Sequence, residues 1–245
     1  DGPTMPELPR IIALITHRRP PRGSSAMANI IEHVIGEYHG RAHIEIIETP
    51  LAQLLDQARA LESSQRADMI ICSGATADYL RQHLSTSVLS IHMGEFDLIR
   101  ALDLAKSKAT KVGILSFGQL HPDVAALQSL FTVAVREAIY RNFEEARQQV
   151  QWLLSEGYEV IVGSSTIVQL ADEAGVQGVL ALNADSIRRT LNNALSMCRS
   201  RAQSLLEQQR LNAVLRNLSD GVIAVDANGV VQSINPKMAT LLAVS

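Results

Sequence analysis

From Ile11 onward the apolar residues fall into two alternating patterns. Short β-branched runs, IIALI (11–15), HIEII (43–47), MIIC (69–72) and VLSI (88–91), are separated by longer stretches with apolar residues at helical spacing. The alternation resumes with KVGILSF (111–117), TVAVREA (132–138), EVIVG (159–163) and GVLAL (178–182), interleaved with helices expected around 121–131, 142–156 and 166–174. Near-continuous apolar strands joined by helices mark βαβ units, because a parallel strand is covered on both faces. Two sets of four strands predict two doubly wound α/β/α lobes with a ligand cleft between them.

The two halves also resemble each other. DMIICSGATADYL (68–80) aligns without gaps onto EVIVGSSTIVQLA (159–171), an offset of 91 residues, and VLSI (88–91) then lands on VLAL (179–182). This spacing predicts lobes of matching topology, at residues 10–92 and 93–183.

After Ala184 the pattern changes. Residues 186–218 contain no Gly or Pro, and Leu191, Leu195, Cys198, Ala202 and Leu205 recur at spacings of four and three. They predict one long helix over 184–218, whose first turns cover a lobe and whose later part is a signalling connector or pairs with the same helix of a second subunit. The tail, SDGVIAVDANGVVQSINPKMATLLAVS (219–245), alternates like a hairpin: GVIAV and VVQSI flank Asn228-Gly229, a pair that supplies the positive φ values such turns need. A helix is expected after Asn235-Pro236.

Composition narrows the function classes. The 245-residue chain is 47% hydrophobic and 19% charged, with a formal net charge of -3, which argues against a broadly basic surface for nucleic acid. The two cysteines, Cys72 and Cys198, form no CxxC pair, so the expected compartment is a reducing cytoplasm. No apolar run approaches the ~20 residues of a membrane span. The opening DGPTMPELPR lacks the apolar block of a signal peptide, and roughly its first eight residues read as a leader outside the fold.

In parallel α/β sheets ligands gather at the carboxyl ends of strands, where helix N-termini present free N–H groups. Four such ends here are small and polar: THRRPPRGSS (16–25), CSGAT (72–76), SFG (116–118) and GSST (163–166). Helix capping accounts for an isolated Ser or Thr at such a place. Ser73 and Ser164, however, follow equivalent strands of opposite lobes, and a cleft would bring them face to face. Arg18, Arg19 and Arg22 form either a solvated basic loop or the counter-charge for an anionic ligand, and His17 and His92 adjoin strand ends. The seven histidines form no metal constellation, and no GxxxxGK[ST] phosphate loop is present. Catalysis by Cys72, as in a two-lobed racemase or lyase of the aspartate/glutamate racemase type, requires a second facing cysteine. The equivalent position is Gly163.

The block ADMIICSGATADYLRQHLSTSVLSIHMGEFDLIRAL (67–102), followed by KVGILSF and EVIVGSSTIVQLADEAGVQGVLAL, resembles the N-terminal sensor family of propionate-catabolism activators among the sigma-54-dependent regulators, over roughly residues 10–205. The tail GVIAVDANGVVQSINPKMATLL looks like the start of a PAS domain. The resemblance implies a periplasmic-binding-like pair of lobes and a small anionic effector, 2-methylcitrate or another carboxylate. It further implies a downstream AAA+ ATPase and DNA-binding domain through which alone DNA and the sigma-54 polymerase are reached. Neither catalysis nor a cofactor is implied. On the quoted motifs the expected ligand-binding residues are Thr16, His17, Arg18, Ser73, Gly74, Ala75, Thr76, Met93, Glu95, Phe96, Ser116, Phe117, Ser164, Ser165 and Thr166.

Overall fold

The computed structural model describes residues 8–17, 25–121, 124 and 133–242. The strands expected from the sequence form two parallel four-stranded sheets. The first comprises β1 (Arg10–Thr16), β2 (His43–Thr49), β3 (Met69–Ser73) and β4 (Ser87–Ile91), in the order β2-β1-β3-β4. The second comprises β5 (Lys111–Phe117), β6 (Ala134–Tyr140), β7 (Val160–Gly163) and β8 (Gln177–Leu180), in the order β6-β5-β7-β8.

Strand composition explains the order. β1 and β3 are buried along nearly their whole length and take the central places, whereas HIEIIET of β2 carries glutamates and lies at an edge. The two sheets share one register as well as one topology. Ile11 pairs with Ile44 and Met69, and Val112 pairs with Val135 and Val160. The strand order reverses between β1 and β3 in one lobe and between β5 and β7 in the other, so each lobe has a switch-point crevice at its strand carboxyl ends.

The connecting helices are α1 (Ala26–Ile35), α2 (Leu54–Ser63), α3 (Gly74–Arg81), α4 (Glu95–Lys106), α5 (Phe143–Ser155) and α6 (Ser165–Glu173). The helix expected at 121–131 falls almost wholly outside the described residues. Ser25 caps α1 by accepting the Ala28 N–H at 3.2 Å, and Asn142 caps α5 by accepting the Glu145 N–H at 2.8 Å.

Two helices cross between lobes. α4 follows the last strand of the first sheet, yet Leu98, Ala101, Leu102 and Ala105 pack in the second lobe's core with Val112, Val160 and Val179. The long helix α7 (Ala184–Asn217) follows the second sheet, yet its start returns to the first lobe. There Tyr38 Oη donates to the Arg188 carbonyl at 3.1 Å, and the Arg188 guanidinium meets Glu37 at 2.7 Å. Asp97 of α4 accepts from Ser186 Oγ of α7 at 2.6 Å, joining the two crossing helices.

Only part of the expected apolar stripe on α7 is covered. Leu191 and Leu195 are buried, whereas Ala202 and Leu205 are exposed. Residues Met197–Ser245 constitute a second compact unit. It holds the antiparallel hairpin of β9 (Ile223–Val225) and β10 (Val231–Ile234), then α8 (Pro236–Leu242). The turn differs from the expected Asn-Gly geometry. Gly229 alone has positive φ, at 80°, and Asp226 holds the loop by accepting the N–H groups of Asn228 and Val230 at 2.8 and 2.9 Å. Asn235 organises this unit. Its Oδ1 accepts from Val222 and Met238, and its Nδ2 donates to the carbonyls of Leu215 and Asp220, so every polar atom of the amide is used.

Candidate functional site

The two crevices meet through hydroxyl groups. Thr16 ends β1 and Ser73 ends β3 in the first lobe, while Ser164 and Thr166 follow β7 in the second. Ser73 and Ser164 occupy the N-cap positions of α3 and α6, but neither side chain caps its helix. Ser164 Oγ instead lies 3.3 Å from the hydroxyl of Tyr140, a buried phenol pushed up to about 12 by desolvation. Ser73 Oγ lies 3.1 Å from Thr76 Oγ1 and 3.0 Å from Thr166 Oγ1 across the lobe boundary.

Thr166 is the centre of the cluster. Its hydroxyl also lies 3.0 Å from that of Thr16 and 3.2 Å from that of Thr76. A hydroxyl donates once and accepts twice, so Thr166 is saturated by three neighbours. One proton is available for each of the four contacts, and the buried group satisfies itself. Ser73 and Ser164 line one small cavity, while the direct hydrogen bond from Ser73 to the second lobe is made with Thr166.

Apolar packing closes the same boundary. Ala75 is buried among Leu115, Tyr140 and Ile167 of the second lobe, and Phe117 stands edge-on to Tyr140 at 5.6 Å. Gly74 lies directly beneath Phe117: a Cβ there would come within 2.5 Å of the ring. Glycine is required by that close approach.

Among the described residues, two cavities lie along the boundary. The smaller, about 20 Å³, is lined by Met27, Ser73, Met93, Ser164 and Ser165 and has room for about one water molecule. The larger, about 220 Å³, is lined by Thr16, His17, Ser25, Ser165, Gln169 and Asp172 among others. Ser165 Oγ, Gln169 Oε1 and His17 Nε2 belong to residues that line this cavity; the three atoms are themselves fully buried, without a hydrogen-bond partner among the described residues.

The other expected residues are dispersed. Arg18 lies outside the described residues. Glu95 is exposed and Phe96 is 77% exposed, and neither lines either of these two cavities, nor does the exposed His92. Ser116 is buried away from both cavities in a network with His121 and Glu137. His121 Nδ1 lies 2.9 Å from the Glu137 carboxylate. That hydrogen bond holds the imidazole above its ordinary value of 6.5 against the effect of burial. Burial raises Glu137, but the hydrogen bonds from His121 and Ser116 outweigh it and hold the carboxyl below 4.5. Ser116 and Glu137 both meet the same imidazole nitrogen, Nδ1 of His121, which is not the relay of a nucleophilic triad.

Cys72 is fully buried, and desolvation pushes its thiol well above the ordinary cysteine range. A side chain at the equivalent Gly163 would come within 2.7 Å of Ile167, so the second thiol of a racemase has no space. Among the described residues, no His, Cys, Asp and Glu side chains group as metal ligands, and no helix is long and apolar enough to cross a membrane. Sequence reasoning missed Ser25, Gln169 and Asp172. For Gln169 and Asp172 the signal was available on α6, where Ser165, Gln169 and Asp172 recur at i, i+4 and i+7 and place polar groups along one face.

The model of a family described as propionate catabolism activator matches residues 38–204. Among solved structures, the chain is similar to an NtrC family transcriptional regulator from Clostridium acetobutylicum, with 22% identity, a TM-score of 0.65, and coverage of 80% of this chain and 100% of that one. It is also similar to an aspartate racemase homologue from Pyrococcus horikoshii, at 13% identity and a TM-score of 0.31, covering 76% of this chain and 99% of that one.

Proposed function

The chain belongs to the propionate catabolism activator family, and we propose that its two-lobed unit is the effector sensor of a sigma-54-dependent activator, holding a small anionic metabolite between the lobes. It is a regulatory domain rather than an enzyme. The observation that carries the sensing role is the buried hydroxyl cluster around Thr166, which joins two facing switch-point crevices. Crevices of this kind are where α/β sheets take ligands. Thr16, Ser73, Thr76 and Thr166 form the latch between the lobes, and the effector occupies the space beside it.

A 2-methylcitrate-like tricarboxylate or another carboxylate is the ligand class. The effector favours the closed arrangement by its differential affinity for closed over open lobes, so a ~100-fold preference supplies about 2.7 kcal/mol. In this reading residues 184–218 are the connector to a PAS domain beginning in 219–245, and the downstream ATPase is the target of regulation. Helix 186–218 can also pair with its copy in a homodimer.

A thermal-shift screen against di- and tricarboxylates and small phosphates tests this. At least one anion should raise the melting temperature saturably, and Thr166→Val should reduce that rise. A screen in which no anion stabilises the protein would overturn the reading.

A further inference from the structure

We infer that Asp97, Ser186 and Arg189 form the hinge lock of the two-lobed unit: the Ser186 hydroxyl stands between carboxylate and guanidinium in one arrangement of the lobes, and a direct ion pair of Arg189 with Asp97 replaces it in the other. This deepens the sensor reading and rests on it for the movement of the lobes. The lock sits where that movement is felt. α4 belongs to the second lobe's core through Leu98, Ala101, Leu102 and Ala105. The start of α7 is fastened to the first lobe, since Tyr38 Oη lies 3.1 Å from the Arg188 carbonyl and 3.2 Å from Asn192 Oδ1, and Glu37 pairs with Arg188 at 2.7 Å. Any change of angle between the lobes therefore shears α4 against α7. The hydrogen bond from Ser186 to Asp97, 2.6 Å long, lies across that shear.

That bond is one half of a relay. The Ser186 hydroxyl has a single proton, which it gives to Asp97 Oδ2, and on a lone pair it accepts from Arg189 Nη2 at 2.8 Å. Ser186 is 2% and Asp97 1% exposed, so water does not compete for the contact. Asp97 Oδ2 also accepts the Gly94 N–H at 2.7 Å, whereas Oδ1 is buried with no partner among the described residues. A buried carboxylate with an idle oxygen is costly, because only full pairing offsets its desolvation. The cation able to complete the pairing stands one hydroxyl away.

Gly94 keeps the way between them open. A Cβ there would lie 3.0 Å from Arg189 Nη2 and 3.4 Å from Asp97 Oδ2. The Gly94 backbone, at φ -100° and ψ 170°, is extended and suits any residue, so its conformation does not call for glycine. The space does. Once Ser186 moves from between the two charges, the guanidinium has a clear path to the carboxylate, and a charge-assisted pair is the stronger bond. The junction is thus a two-state element that biases the lobes, because each arrangement completes a different set of bonds.

Pulsed electron spin resonance between spin labels on the two lobes of the full chain tests the inference. The labels are attached at Arg59→Cys on α2 and Gln151→Cys on α5, both exposed positions, in a Cys198→Ser background. Ser186→Ala should raise the share of a second distance population about fivefold or more, the effect of one hydrogen bond lost from the first arrangement. Ser186→Thr keeps the hydroxyl and should not. Adding Arg189→Leu or Gly94→Ala to Ser186→Ala should return the share to that of the unmodified protein, since the first removes the cation and the second closes its path. Asp97→Glu keeps Ser186 and carries the carboxylate one methylene closer to Arg189, so it should raise the same population and decides the matter if Ser186→Ala does not fold. Unchanged distances in whichever of these two variants folds, or a second population that survives Arg189→Leu, would overturn the inference. The sensor reading fails separately, in the thermal-shift screen, if no anion binds.

Discussion

Thr166 Oγ1, on α6 of the second lobe, lies 3.0 Å from Ser73 Oγ at the end of β3 in the first. The two are not equivalent positions of the repeat, since Ser73 corresponds to Ser164 and Thr166 to Ala75 at the offset of 91 residues. The lobes therefore meet asymmetrically, and one hydroxyl of the second lobe serves three of the first. Thr166→Val removes the shared partner and leaves Thr16, Ser73 and Thr76 short of bonds. It should destabilise the protein by about 1–3 kcal/mol. Thr166→Ser keeps the hydroxyl and loses one methyl group, costing about 1 kcal/mol. Urea midpoints of both variants check this, and equal losses would show that the hydroxyl contributes nothing.

The ring of Phe117 fills the space a side chain at Gly74 would take, with a Cβ there only 2.5 Å from it. Gly74→Ala should cost about 1–3 kcal/mol through overpacking. Phe117→Leu in the same chain should recover part of that loss, since it removes the ring that the new methyl group meets. A double-mutant cycle measures the coupling, and strict additivity would show that the two residues do not compete for space.

His121 and Glu137 set a pH window. His121 is raised above 6.5, so its contribution is complete below 6.5 and is lost as pH rises through the raised value. Glu137 is depressed below 4.5, so its contribution is complete above 4.5 and is lost as pH falls through the depressed value. The stabilisation of the unmodified protein over Glu137→Gln should be greatest between pH 4.5 and 6.5 and narrow on either side. Chemical denaturation at a series of pH values reads this directly. A difference that kept growing above neutral pH would contradict the assignment of His121 as the proton-bearing partner.

Cys72 should behave as a core residue. Its burial and raised thiol predict no reaction with a disulfide reagent in the folded protein and prompt reaction in denaturant. Cys72→Ala should leave the affinity for any stabilising anion unchanged. Rapid native-state modification of Cys72, followed by loss of binding, would return the thiol to the candidate site.

Much of the fold was legible because each strand had to satisfy a local rule. A strand covered on both faces needs an unbroken apolar run, and a helix over it needs apolar residues at spacings of three and four. IIALI, MIIC and EVIVG met the first rule, and their repetition at constant spacing disclosed two sheets of the same topology. The long helix was equally visible, as a stretch without Gly or Pro. The same local rules placed Ser73, Ser165 and Thr166 at strand ends beside helix N-termini.

Which of those residues meet was a different matter. An internal repeat relates equivalent positions, whereas contact between lobes depends on how two rigid bodies are packed against each other. That packing put the Thr166 hydroxyl within hydrogen-bond distance of Ser73, left Ser73 and Ser164 lining one small cavity, and turned α4 and the start of α7 onto the opposite lobes. Hydrophobic period is a property of each segment and can be read one segment at a time. The satisfaction of buried polar atoms is a property of their surroundings, and those surroundings come from residues as much as 150 positions apart, as in the contact of Thr16 with Thr166.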